Sequence, residues 1–246
     1  MSPNHQDAIE VDDLGLPDVY PRDLIAVIPL RLPLTFVAVK GLTTRLMRDW
    51  LARRRITYAL DGPPRRLHGA LVARAGRGIV FVDSTDEGRE QQFTAAHETA
   101  HFIEDHLRPR QRALSALGEL IRPVLDGHRA PTREESVSAV LHRVPLGVQV
   151  HLMTRMHGGA VGSWAIEDRE QRADRLALEL LAPAKAALRA LRQSARSPGA
   201  PDLDAAAVLS EAFDIPLNAA RLYAGLLLNG GRPRQTLSER LLGERR

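Results

Sequence analysis

Apolar residues recur at helical spacing at Leu42, Leu46, Trp50 and Leu51, with arginines on the opposite face, which predicts a helix over 42–55. After the turn DGPPRR (61–66), two short apolar runs follow, GALVA (69–73) and GIVFV (78–82), separated by the glycine-bearing RAGRG. That pattern reads as two strands joined by a hairpin. Ser84 and Glu87 have capping-box spacing, so the next helix is expected to begin near Thr85 and run through HETAH until Pro109 stops it. Upstream, LIAVIPLRLPLTFVAV (24–39) reads as extended segments at the edge of a core, and residues 1–20 as a polar, poorly ordered lead-in.

Residues 107–166 are harder to read. ALSALGELIRPVL and REESVSAVLHRV are helix-like, VPLGVQVHLM (144–153) is expected to be extended, and HGGAVGS (157–163) is a glycine-rich loop. A strongly helical stretch follows, EDREQRADRLALELLAP (167–183), ended by Pro183. RQSARSPGAPD (192–202) has linker composition, and the tail reads as two helices, LDAAAVLSEAF and PLNAARLYAGLLL, around a bend at Asp214 and Ile215. The expected organisation is a lead-in (1–20), an α+β domain (21–191) with an inserted, partly helical region (107–166), a linker (192–202) and a helical extension (203–246).

Composition narrows the chemistry. With no cysteine, disulfides, thiolate nucleophiles and cysteine-based zinc sites are excluded, so any metal must be held by imidazole and carboxylate. The absence also suits a reducing cytoplasm. The net charge of +4 rests almost wholly on arginine, since Lys40 and Lys185 are the only lysines. Acidic residues are interspersed throughout, so no phosphate-binding tract stands out. The acidic start MSPNHQDAIEVDD is unlike a secretory leader, and the 24–39 run is broken by Pro29, Arg31 and Pro33 and too short to span a bilayer.

The candidate chemistry lies in HETAH. On a helix, His97 and His101 share one face a turn apart and can direct a nitrogen each at one ion. Glu98 falls about 100° round the helix. It stands beside such an ion, where a carboxylate can manage the protons of an attacking water. Only roughly 0.02 such strings are expected by chance in this composition, which favours a metal grip over two histidines satisfied by neighbours. The metzincin pattern is excluded, because Glu104 and Leu107 occupy the positions where it needs glycine and histidine. A glutamate from a second helix is the alternative third ligand. Glu170 and Asp174 share a face there, Glu170 for the metal and Asp174 to accept the free N–H of His97. Glu167 and Glu179 are rivals to Glu170. Glu104, His106, His142, His151 and His157 remain open as ligands, each better explained as solvated or structural.

QQFTAAHETAHFI (91–103) and EQRADRLALELLAP (170–183) together resemble the ImmA/IrrE family of zinc-dependent metallo-endopeptidases, whose usual phrases are RFTLAHELGH and ExxANxFAxxLLxP. Glu170, Ala173, Leu180, Leu181 and Pro183 match the second phrase, while Asp174 stands where Asn is usual and Leu176 where Phe is. The likeness covers residues 65–103 and 165–228. The 102–169 interval is longer than the family usually has. The resemblance implies a minimal zincin-like domain: a short twisted sheet, the HExxH helix, a glutamate-bearing second helix and a helix-turn-helix-like extension.

It further implies Zn2+, or Mn2+ in its place, on His97, His101 and Glu170, with Glu98 as general base. The protein substrate would be a helix-turn-helix repressor of stress-response or mobile-element genes. The sheet edge near Gly78–Val82 would hold an extended peptide, and Tyr58 and Tyr223 are candidates for polarising the scissile carbonyl. The competing expectation is a non-proteolytic regulator with a structural or sensory metal, acting through protein or DNA. Direct DNA binding by LSEAFDIPLNAARLYAGLL (209–227) is disfavoured, because only Asn218 and Arg221 offer polar groups on its second helix.

Overall fold

In the computed structural model, the described residues are 12–56, 62–141, 148–154, 164–195 and 204–228. The fold is α+β, mostly helical, around one mixed four-stranded sheet. The chain divides into two compact units, Met1–Leu181 and Ala182–Arg246. That division falls ahead of the 191/192 boundary read from composition and groups α8 (Ala184–Ser194) with the C-terminal helices. The lead-in before Asp12, the glycine-rich 157–163 and most of the linker lie outside the described residues.

In the first unit, β1 (Leu34–Val39), β2 (Leu67–Arg74), β3 (Arg77–Asp83) and β4 (Gln149–Thr154) form the sheet in the order β1-β3-β2-β4. β1 runs parallel to β3, while β2 is antiparallel to both β3 and β4. The predicted β2–β3 hairpin closes through Ala75 (φ 53°) and Gly76 (φ 75°), two consecutive left-handed residues of the kind a two-residue turn needs. β3 is therefore an interior strand, contrary to the expectation of a free edge at Gly78–Val82. Its second side is taken by β1, whose apolar residues sit opposite Gly78 to Asp83. The edges are β1 and β4. The 24–39 stretch is only half extended: α1 (Leu24–Val27) precedes β1, its first turn capped by Asp23.

Strand alternation sorts the sheet's two faces. Ala70, Val72 and Phe81 point to one side, where they pack with Leu42, Met47 and Leu51 of the α2 (Thr44–Arg53) region, and Val150 and Leu152 of β4 join them. α2 begins where expected because the Thr43 hydroxyl accepts the Leu46 N–H. The opposite face meets α3 (Gly88–His101), and the β2–β4 register places His151 opposite Leu71 on that face. Contact is closest at Gly69, where an added methyl group would lie 2.3 Å from the Thr94 methyl, 3.1 Å from the Phe81 carbonyl oxygen and 3.4 Å from Glu98 Cγ. Gly69→Ala is expected to destabilise the protein by about 1–3 kcal/mol through this overpacking, seen as a lowered Tm. An unchanged Tm would show that α3 does not depend on this approach.

α3 starts at Gly88, not Thr85, and Glu87 at its N-cap makes no side-chain capping bond. The Ser84–Glu87 box does not form because buried Asp83 claims this turn, accepting from Gly41 N, Thr85 N and Thr85 Oγ1. Nor does Pro109 stop the helix. After His101 the backbone widens into a π turn (Phe102–Leu107) and continues as α4 (Arg108–Leu117), with Pro109 in its first turn.

α4, α5 (Arg122–Leu125) and α6 (Arg133–Leu141) form a satellite core of Ala113, Ile121, Val124, Leu125 and Ala139. α7 (Trp164–Leu181) packs along α3, fixed from outside by Arg22, whose guanidinium donates to the Leu180 carbonyl at 2.7 Å. In the second unit, α9 (Ala205–Phe213) and α10 (Leu217–Leu228) flank the predicted bend, which turns through Asp214 in the left-handed region (φ 50°). No described helix is long and apolar enough to cross a membrane.

Candidate metal centre

The site is assembled from three elements of the first unit. α3 contributes His97 and His101, four residues apart on the face turned to α7, with their Nε2 atoms 3.2 Å apart. α7 contributes Glu170, whose Oε2 lies 3.4 Å from His97 Nε2 and 3.6 Å from His101 Nε2. Ligands held tetrahedrally at about 2.0–2.1 Å from zinc stand about 3.4 Å from one another. The triangle thus has the size a single ion requires. The predicted convergence of two distant helices is present.

The outer hydrogen bonds fit a metal too. His97 Nδ1 donates to Asp174 Oδ1 at 3.0 Å, the partnership expected from sequence, and His101 Nδ1 donates to Asp105 Oδ2 at 2.7 Å. A carboxylate on each Nδ1 fixes the tautomer that leaves the Nε2 lone pair for a cation. Asp105 was not anticipated. It lies one helical turn beyond His101, and the π turn carries it to that ring. Both imidazoles are almost wholly buried (4% and 1% exposed), so without such partners they would be costly to place there.

Glu98 is completely buried. The partner of its carboxylate is His151 from β4, whose Nδ1 is 2.9 and 3.1 Å from the two oxygens. The other ring nitrogen of His151 is 3.3 Å from Glu170 Oε1. His151, which the sequence context left as solvated or structural, joins the cluster. His97, His101, His151 and Glu170 each bring one donor atom within 4.8 Å of the others, a group able to hold a metal ion. Imidazole and carboxylate donors suit zinc and several other divalent ions, so the donor set alone does not name the metal.

Charge runs through the cluster in both directions. Burial pushes His97 down, but hydrogen bonds to Asp174 and Glu170 and the nearby Glu98 charge outweigh it and raise its pKa to about 9. For His151, burial again works downward, while the Glu98 charge and hydrogen bonds to Glu170 and Glu98 raise it to about 10. Burial would raise Glu98, yet the His151 charge and hydrogen bond hold it below the usual carboxylate range. Glu170 is lowered as well: the three imidazoles overcome its desolvation. The carboxylates that hold protons on His97 and His151 would also attract a divalent cation, which has to displace those protons to bind.

The remaining candidates go elsewhere. Glu104 pairs with Arg108, and His106 Nε2 accepts the Gly76 N–H at 2.9 Å, tying α3's extension to the hairpin. Tyr223, in the second unit, is buried and donates its hydroxyl proton to the Ala182 carbonyl at 2.6 Å. Tyr58, His142, His157 and the side chain of Glu167 lie outside the described residues, and Glu179 is not part of the cluster. No family model matches this chain, and no curated protein or solved structure matches it either.

Proposed function

We propose that this protein is a zinc-dependent endopeptidase built on a minimal zincin-like domain, with His97, His101 and Glu170 holding the metal and Glu98 as general base. The observation that carries this reading is Glu98: a fully buried carboxylate beside a triangle of donors spaced for one ion. A purely structural site has no use for it. When bound, the cation would act as a Lewis acid and lower the pKa of water from 15.7 to about 7. Glu98 then takes a proton from the attacking water and returns it to the leaving amine. Asp174 and Asp105 keep the two ligating rings oriented.

β4 is the sheet edge beside this site, and among the described residues it pairs only with β2. An extended polypeptide added along its outer side would run beside the strand that carries His151, which contacts Glu98 and Glu170. That favours a protein substrate over a small molecule. The resemblance to ImmA/IrrE metallo-endopeptidases adds the narrower proposal that the substrate is a helix-turn-helix repressor in a bacterial cytoplasm. The α9–α10 pair, helix-turn-helix-like in sequence, is assigned to protein contacts and not to DNA: Leu217, Leu222 and Leu228 are its exposed large side chains.

The test is metal removal. Purified protein incubated with a repressor encoded beside its gene, and with an internally quenched peptide library, is expected to cleave. It should lose that activity after dialysis against a chelator and regain it with one equivalent of zinc or manganese. Cleavage that survives complete metal removal would end this reading.

A further inference from the structure

His151 is the third imidazole of the cluster, and it is supported in the same way as the other two. His97 Nδ1 donates to Asp174 at 3.0 Å, and His101 Nδ1 to Asp105 at 2.7 Å. His151 Nδ1 meets both oxygens of Glu98, at 3.1 and 2.9 Å. A carboxylate behind one ring nitrogen is the usual support of a ligating histidine, because it leaves the other nitrogen for a cation. All three rings share this pattern. Each has Nδ1 held from outside and Nε2 turned toward the common centre, where that of His151 lies 3.3 Å from Glu170 Oε1.

Strand alternation brings His151 here: Val150 and Leu152 turn into the α2-side core, so residue 151 faces α3. One donor atom from each of His97, His101, His151 and Glu170 lies within 4.8 Å of the others. Two imidazoles bound tetrahedrally to one ion at about 2.0–2.1 Å keep their ring centres about 5 Å apart. His97–His101 at 4.8 Å and His97–His151 at 5.5 Å fall on either side of that spacing. His101 and His151 are closer, 3.7 Å between centres with planes 25° apart. Joint coordination therefore needs these two rings to part. His151 is the one placed to give way: His101 is 1% exposed on α3, whereas the His151 side chain is 20% exposed on an edge strand.

We propose that His151 is a fourth, displaceable ligand to the metal, completing a set of three histidines and one glutamate that is closed at rest. The proposal rests on the metal site of the reading above and adds a regulatory state to it. A catalytic site keeps one coordination position open for water, and a structural site fills all four with side chains. With His151 in place, the fourth position is taken. The same side chain also engages Glu98, whose two oxygens both face its Nδ1. Release of this one imidazole therefore does two things together. It opens the fourth position to water, and it frees the Glu98 carboxylate to take that water's proton. Coordination and general base are switched by a single ring.

X-ray absorption at the zinc edge tests this on the zinc-loaded protein, before and after saturation with acetohydroxamate, whose oxygens bind zinc. The wild type is expected to show three imidazoles per zinc, falling to two when acetohydroxamate is bound. His151→Ala should show two in both conditions. Its zinc Kd, measured by chelator competition, should rise at least tenfold, the lower bound of what losing an outer partner of a ligand costs. Two imidazoles in the untreated wild type would overturn the proposal, and so would a variant Kd within a few-fold of wild type. Three imidazoles retained under saturating acetohydroxamate would overturn the displacement. If His151→Ala does not fold, the two wild-type spectra decide alone. None of these readouts requires cleavage, so the two readings fail separately. Three imidazoles in a protein that cleaves no peptide would end the endopeptidase reading and keep His151 as a ligand. Two imidazoles alongside metal-dependent cleavage would do the reverse.

Discussion

Glu98→Gln is expected to reduce peptide cleavage by about 10²–10⁴-fold, the usual worth of a positioned general base, while the protein keeps its full complement of metal. The substitution preserves shape in a fully buried position packed against Gly69, so no cavity opens. What it removes is a proton acceptor. An amide cannot take a proton from water, although its oxygen can still accept from His151 Nδ1. Metal content should be unaffected because His97, His101 and Glu170 remain, with Asp174 and Asp105 behind the two rings. Elemental analysis paired with cleavage of the co-expressed repressor reads both halves. Wild-type cleavage by this variant would remove Glu98 from the general-base role, whereas a variant that performs normally in vivo without cleaving would favour the regulator reading.

The second large effect is at His101. His101→Ala removes one corner of the donor triangle and leaves the Asp105 carboxylate without its imidazole. Losing an outer hydrogen-bond partner of a ligand typically costs 10–100-fold in metal affinity, and losing the ligand itself should cost more. The expected result is a protein purified without stoichiometric zinc. Stability gives an independent reading. At free zinc about a thousandfold above its Kd, the wild type should gain about 4 kcal/mol by mass action, and the variant little of that. A variant whose Tm still rises with zinc as the wild type's does would remove His101 from the ligand set.

How much of this was legible in the sequence differs from element to element. The hairpin, α2, α7 and the paired tail helices were readable because each buries one face and repeats its apolar residues at the matching period. His97, His101 and Glu98 were readable because a single helix fixes their spacing. Glu170 with Asp174 could be proposed from spacing on a second helix, but that α7 lies against α3 is a packing fact. Three features escaped for specific reasons. Asp83 outcompeted the Ser84–Glu87 cap through three long-range and local bonds that no capping pattern encodes. Pro109 looked like a terminus because a π turn ahead of it is invisible to helical periodicity. His151 looked incidental because its only local signal is a polar residue alternating with Val150 and Leu152, and its partners are distant in sequence.

That alternation makes the register of β4 a strict requirement of the site. A one-residue slip within Gln149–Thr154 exchanges the two faces of the strand. Valine or leucine would then stand over Glu98, and an imidazole would be driven into the apolar layer against α2. The pairing of the fourth strand with the second is therefore held to a single frame.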